Sequence, residues 1–220
     1  MEFNSKARKR EPIFNNMPPG ILSLAGIIVL IELIIQVFGI EYRSWFLIYF
    51  GFFPTNIIFP EGNIFFGQKY VMFFSYSLIH GSFFHMALNV GILLALGKKL
   101  EEHLGYTKLF ALFFSTAIFG AFFYLIILPN EPLPMVGASG SVFGFFGYWK
   151  GKELLFRLKN NMKLAPVIMF FLALILGNFL MVLFYPFGIA WQAHLGGLVL
   201  AGTARQSFHS SQPQADQKGR

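Results

Sequence analysis

Between Lys108 and Glu131 lie 22 residues without a charged side chain, most of them Leu, Ile, Phe or Ala. A run of about 20 apolar residues reaches across the hydrocarbon core of a bilayer as a helix. Five more apolar stretches accompany it. The full set is Gly20–Ile40, Phe83–Gly97, Leu109–Leu128, Gly137–Trp149, Leu164–Phe184 and Gly188–Ala204. The first, third and fifth are long enough to span alone, and the others are shorter. Charged residues make up 12% of the chain and hydrophobic ones 55%, whereas a soluble domain is about a quarter charged. The pattern predicts an all-α, polytopic membrane bundle of six transmembrane helices. The 30 phenylalanines suit lipid-facing surfaces and point to no particular ligand.

The basic residues orient such a bundle. Lys6, Arg8, Lys9 and Arg10 precede the first stretch. Lys98, Lys99 and Lys108 lie between the second and third. Lys150, Lys152, Arg157, Lys159 and Lys163 lie between the fourth and fifth, and Arg205, Lys218 and Arg220 follow the last. Of the 17 Lys and Arg, only Arg43 and Lys69 fall on the other side. Positive charge is retained in the cytoplasm, so the split predicts an even number of spans with both termini cytoplasmic. It also explains the net charge of +7 without nucleic acid. Residues 1–17 read as a basic cytoplasmic tail, 18–205 as the membrane domain and 206–220 as a polar, disordered cytoplasmic tail. The first stretch is too long for a signal-peptide core and no small-residue cleavage site follows it, so it reads as a retained span. Residues 41–82 carry Pro54, Pro60 and many aromatics, and read as a loop with short amphipathic helices in the outer interface.

Polar groups within a bilayer are costly and default to function. Eight stand out: Glu32, His80, His85, Asn89, Ser139, Asn178, Gln192 and His194. Taking the cytoplasmic charges as a floor, Ser139 and His194 each lie about 16 Å up at 1.5 Å per residue, and His85 and Asn89 about 20 and 14 Å up. These four groups bracket one level on three helices, and His85 and Asn89 share a helix face as i and i+4. A lone membrane histidine reads equally well as a satisfied packing residue, and a lone serine as an interhelical hydrogen bond. Four at one depth have the composition of a nucleophile, a base and oxyanion donors. A helix starting at Gly137 begins well below the outer surface, so Pro129–Val136 is expected to line a wet cavity reaching down to Ser139. Glu32 reads as a proton-relay group or as a structural residue, neutral or hydrogen-bonded within the bundle.

These motifs resemble those of the rhomboid family of intramembrane serine proteases. Gly137-Ala138-Ser139-Gly140 matches the family's G-x-S-G nucleophile motif, continued by Val142-Phe143-Gly144. Ala193-His194-Leu195-Gly196-Gly197 resembles its last-span histidine motif, and His80, His85 and Asn89 fit its second-span pattern. The resemblance covers residues 18–205. It implies Ser139 as nucleophile and His194 as general base and then acid. His85, Asn89 and the Ser139 backbone N–H would be oxyanion donors. It implies structural roles for His80, for Glu101 in the Leu100–Gly105 turn, and for Gly137, Gly140 and Gly197, the last letting the final span pack closely on the fourth. The substrates it implies are transmembrane helices of other proteins, in the lipid bilayer. A compact six-span chain without a transit peptide suggests a bacterial inner membrane.

Two departures stand out. Val71-Met72 occupies the place where the family often has Trp-Arg, and Ala201 stands where it prefers glycine. The only aspartate is Asp216, in the tail, and Glu32 is the only glutamate within a span. A Ser-His-Asp triad is therefore excluded, and the chemistry rests on a Ser-His dyad with an acyl-enzyme. No cofactor is implied. His85, Asn89 and His194 could suggest zinc, but no inner-span carboxylate or thiolate completes such a site. A catalytically inactive helix-binding relative is the alternative. A transporter would show an internal repeat or paired midplane charges, and the sequence has neither.

Overall fold

The computed structural model describes residues 16–184 and 189–203. Among these no strand forms, and nine α-helices carry the fold. Helix α1 (Pro19–Phe38) leads into α2 (Ile40–Phe50), and the outer connection continues through α3 (Thr55–Ile58) and α4 (Gln68–Ser75). Then follow α5 (Phe83–Leu104), α6 (Tyr106–Ile127), α7 (Ser139–Lys159), α8 (Ala165–Phe184) and α9 (Trp191–Thr203). Four helices are long and apolar enough to cross a membrane: α1, α5, α6 and α8. The two tails, and the outer bounds of the last predicted stretch at Gly188 and Ala204, lie outside the described residues.

Hydropathy misplaces two helix ends for one reason. Helix α5 runs on past Gly97 to Leu104, and α7 runs past Trp149 to Lys159. A helix does not stop where its side chains become polar; it stops where its backbone loses partners. In α7 the extension is held by Lys150–Glu153 and Glu153–Arg157 pairs, at 2.7 and 2.8 Å, on the i,i+3 and i,i+4 spacings that bring helical side chains together. In α5 it carries Glu101 inside the helix rather than into the predicted turn. There Glu101 accepts from the backbone N–H groups of Gly20 and Ile21 at 2.9 and 2.6 Å. It thereby caps the start of α1, whose first N–H groups have no partner of their own. A Cβ at Gly20 would lie 2.7 Å from the same carboxylate.

Small residues set the centre of the bundle. Helix α9 lies between α6 and α7. A Cβ at Gly197 would overlap the Gly140 carbonyl of α7, and one at Gly196 would come within 2.8 Å of the Phe119 carbonyl of α6. Close backbone approach of this kind supplies the packing that a hydrophobic effect cannot supply inside lipid. Ala201 is fully buried, so alanine suffices at that position.

The outer connection forms short helices, in line with the sequence, and is tied down by polar contacts. Gln68 donates to the Ile48 carbonyl at 2.9 Å and Ser75 to that of Phe50 at 2.8 Å. Phe52 and Met135 exchange two backbone hydrogen bonds of 2.9 Å. The segment 129–136 thus satisfies part of its non-helical backbone against protein rather than against water, the other condition under which such backbone is tolerated at depth.

Candidate active site

Ser139 is the first residue of α7. The chain reaches it through Gly137, whose φ of +115° lies where side chains are disfavoured. A Cβ there would also come within 2.6 Å of the His85 ring. Glycine at 137 therefore permits both the turn and the approach of α5. Gly137 N–H donates to the Tyr76 carbonyl at 2.9 Å. The Tyr76 hydroxyl donates to Ala117 at 2.8 Å; burial raises its phenol above the ordinary value, which keeps it a donor. At Gly140 a Cβ would approach that hydroxyl to 3.3 Å and the Ala193 carbonyl to 3.4 Å. Ser141, next but one to Ser139, is fully buried and donates to the Phe113 carbonyl, so it is bound into the α6–α7 contact.

His194 stands on α9 with its Nε2 2.8 Å from Ser139 Oγ. The two helices that carry the pair meet backbone to backbone at Gly140, next to Ser139, and Gly197, about one turn along α9 from His194. The ring of Phe143, one turn along α7 from Ser139, stacks on the imidazole at 4.2 Å between centroids and 6° between planes. The other ring nitrogen, Nδ1, lies 2.7 Å from Asn178 Oδ1 on α8. A hydroxyl on one imidazole nitrogen and an acceptor on the other can pass the serine proton to Nε2 while Nδ1 keeps its own.

His85 and Asn89 project from one face of α5, as their spacing requires. Asn89 is buried and its Nδ2 donates back to the His85 carbonyl at 3.0 Å, which leaves its second N–H for another acceptor. The Ser139 N–H belongs to a helix N-terminus, where unpaired donors and the helix dipole favour negative charge. His80 is buried beside this site; its Nε2 accepts from the Ala138 N–H at 3.2 Å, so the ring is neutral at that nitrogen. The His80 and His85 rings meet edge to face at 5.0 Å.

Glu32 resolves into a buried ion pair. Arg43 donates to its two oxygens at 2.7 and 3.2 Å and to the His80 carbonyl at 2.8 Å. The carboxylate is fixed on a cation and accepts from Gln36 as well, so it is charge-paired within the bundle rather than neutral. The contact also runs from α1 through α2 to the residue that supports Ala138. It ties α1 and α2 to the stretch that leads into α5. Among the described residues no group of three or more His, Cys, Asp or Glu is arranged to hold a metal.

The Rhomboid domain family model matches residues 67–206, which include every site residue named above except Glu32, Gln36 and Arg43. The chain belongs to the rhomboid family. A relative, RHOMBOID-like protein 5 of Arabidopsis thaliana, is 30% identical over 69 residues. That alignment takes in 31% of this rhomboid and 22% of the plant protein. The family and the apolar helices together make this rhomboid an integral membrane protein.

Asn178 is the site residue to which the sequence gives no role. It is the only polar residue between Ala165 and Phe184, which is a signal in itself. It lies 15 residues after Lys163, about 22 Å above the charged floor, and so shares the level of His85.

Proposed function

We propose that this rhomboid is an intramembrane serine endopeptidase that cuts other membrane proteins in or near their transmembrane helices. The observation that carries the reading is the 2.8 Å contact between Ser139 Oγ and His194 Nε2. His194 takes the Ser139 proton as the oxygen attacks the substrate carbonyl. The oxyanion is received by the Ser139 N–H, His85 and Asn89. His194 then returns the proton to the leaving amine, and water, activated by the same imidazole, releases the acyl group. Donors aimed at charge that exists only in the transition state raise turnover rather than affinity.

Six spans and two cytoplasmic termini belong to the same proposal. The charge split supports an even number of spans, and α7, of 21 residues, and the shorter α9, of 13, supply two crossings beside the other four. The relative above is a plant protein, so it lends the bacterial inner membrane no support.

The test uses the purified full chain in detergent or liposomes. A fluorophosphonate probe is expected to modify Ser139, and a transmembrane model substrate to be cut. Ser139→Ala and His194→Ala should each abolish both with the melting temperature unchanged. Cleavage at near-normal rate by either variant refutes the assignment. An inert, folded wild type that still binds transmembrane helices establishes the inactive helix-binding relative instead.

A further inference from the structure

We propose that Asn178 is a positioning residue that turns the Ser139–His194 pair into a Ser-His-Asn relay; the inference rests on the reading of that pair as the reacting groups. A neutral imidazole carries one proton. For Nε2 to accept from Ser139 Oγ, that proton must sit on Nδ1, where Asn178 Oδ1 receives it at 2.7 Å. The opposite tautomer would place N–H against the serine hydroxyl and leave no base. When His194 takes the serine proton, both ring nitrogens carry hydrogen, and the carbonyl end of the Asn178 dipole faces the new positive charge. Phe143 presents its ring face to the same imidazole, which also favours the cation and holds the ring plane. Asn178 thus takes the orienting part that a carboxylate takes in a triad, where the two buried carboxylates among the described residues are already held: Glu32 by Arg43 and Glu101 by α1. An amide also avoids a buried charge.

The supporting helix gives this arrangement a second property. Only 6% of the apolar window of α8 is buried, against 33%, 28% and 39% for α1, α5 and α6. The base is therefore oriented by the least embedded of these helices, and its tautomer depends on α8 being seated.

Wild type, Asn178→Ala and Asn178→Asp are compared as full chains in liposomes. The readouts are the rate of Ser139 modification by a fluorophosphonate, kcat and KM for a transmembrane substrate, and the pH dependence of kcat/KM. Asn178→Ala is expected to slow labelling and kcat by about 10- to 100-fold, with KM and melting temperature little changed. Asn178→Asp should restore much of the rate. A carboxylate facing the imidazolium favours the protonated base, so the acid limb of the profile moves to higher pH. The other titratable group acting on His194 among the described residues is His85, and it is the same in all three proteins. A wild-type labelling rate in Asn178→Ala, or a loss that follows its melting temperature alone, overturns the inference. The Asp variant keeps a partner for Nδ1 and is read independently where the Ala variant fails to fold; an unshifted acid limb there also overturns it. A wild type inert to the probe sinks the protease reading and this inference with it, whereas a labelled wild type matched by Asn178→Ala sinks this inference alone.

Discussion

Helices α9 and α8 both reach His194, and they hold it by opposite means. Helix α9 carries the ring and is locked between α6 and α7 by glycine contacts that admit no Cβ. Helix α8 touches the ring through one amide and exposes most of its surface, from Ile168 and Met169 to Leu183. The glycines make the contrast concrete. A Cβ at Gly197 would strike the Gly140 carbonyl, whereas a Cβ at Gly177, beside Asn178, would meet nothing within 4 Å. The distance between nucleophile and base is thus set by backbone packing, which cannot relax. The tautomer of the base is set by a side chain on a helix with few neighbours, which can.

The largest effect should come from breaking the tight half. Gly197→Val puts a branched side chain into the Gly140 backbone. Overpacking typically costs about 1–3 kcal/mol and occasionally more, and here neither backbone can yield. Little folded protein and no fluorophosphonate labelling are expected from thermal melting and probe assays. A folded, active Gly197→Val would show that α7 and α9 are not locked.

A smaller effect tests whether α5 belongs with the tight half in chemistry. His85→Ala and Asn89→Ala should each lower kcat, by up to the 10²–10³ that one oxyanion donor is worth in a soluble serine protease. The Ser139 N–H remains in both variants, so smaller losses are consistent. The double variant should lose less than the product of the single losses. A fall in melting temperature with kcat intact would instead make both residues packing groups, as the Asn89 bond to the His85 carbonyl permits.

The smallest effect should come from the loose half. Gly177→Ala adds a methyl group to open space and removes a poor helix former. Stability, followed by thermal melting, is expected to stay the same or rise slightly, by about 0.5 kcal/mol or less on the scale of surface substitutions, with kcat retained. A destabilised Gly177→Ala would mean that α8 packs more closely than its exposure indicates, and would weaken the contrast with α9.

Much of this arrangement could be read from residue order alone. Apolar runs fix where helices must be, because a bilayer core offers the backbone no other partner. The distance of each polar group from the flanking basic residues puts Ser139, His194, His85 and Asn89 at one level in the sequence reading, since helical rise is constant. The structure brings Ser139 and His194 into contact and sets His85 against Gly137. The sequence could not determine helix ends beyond the apolar runs, because salt-bridged turns continue α7 and a cap given to α1 engages the last turn of α5. Nor could it show that Glu32 is paired, since Arg43 lies 11 residues away on a different helix. Depth is a property of one helix at a time and is linear in residue number. Which nitrogen of His194 faces Asn178, which carboxylate is consumed by a cation, and which helix is held by backbone contact depend on how helices are rotated about their axes, and only tertiary packing decides that.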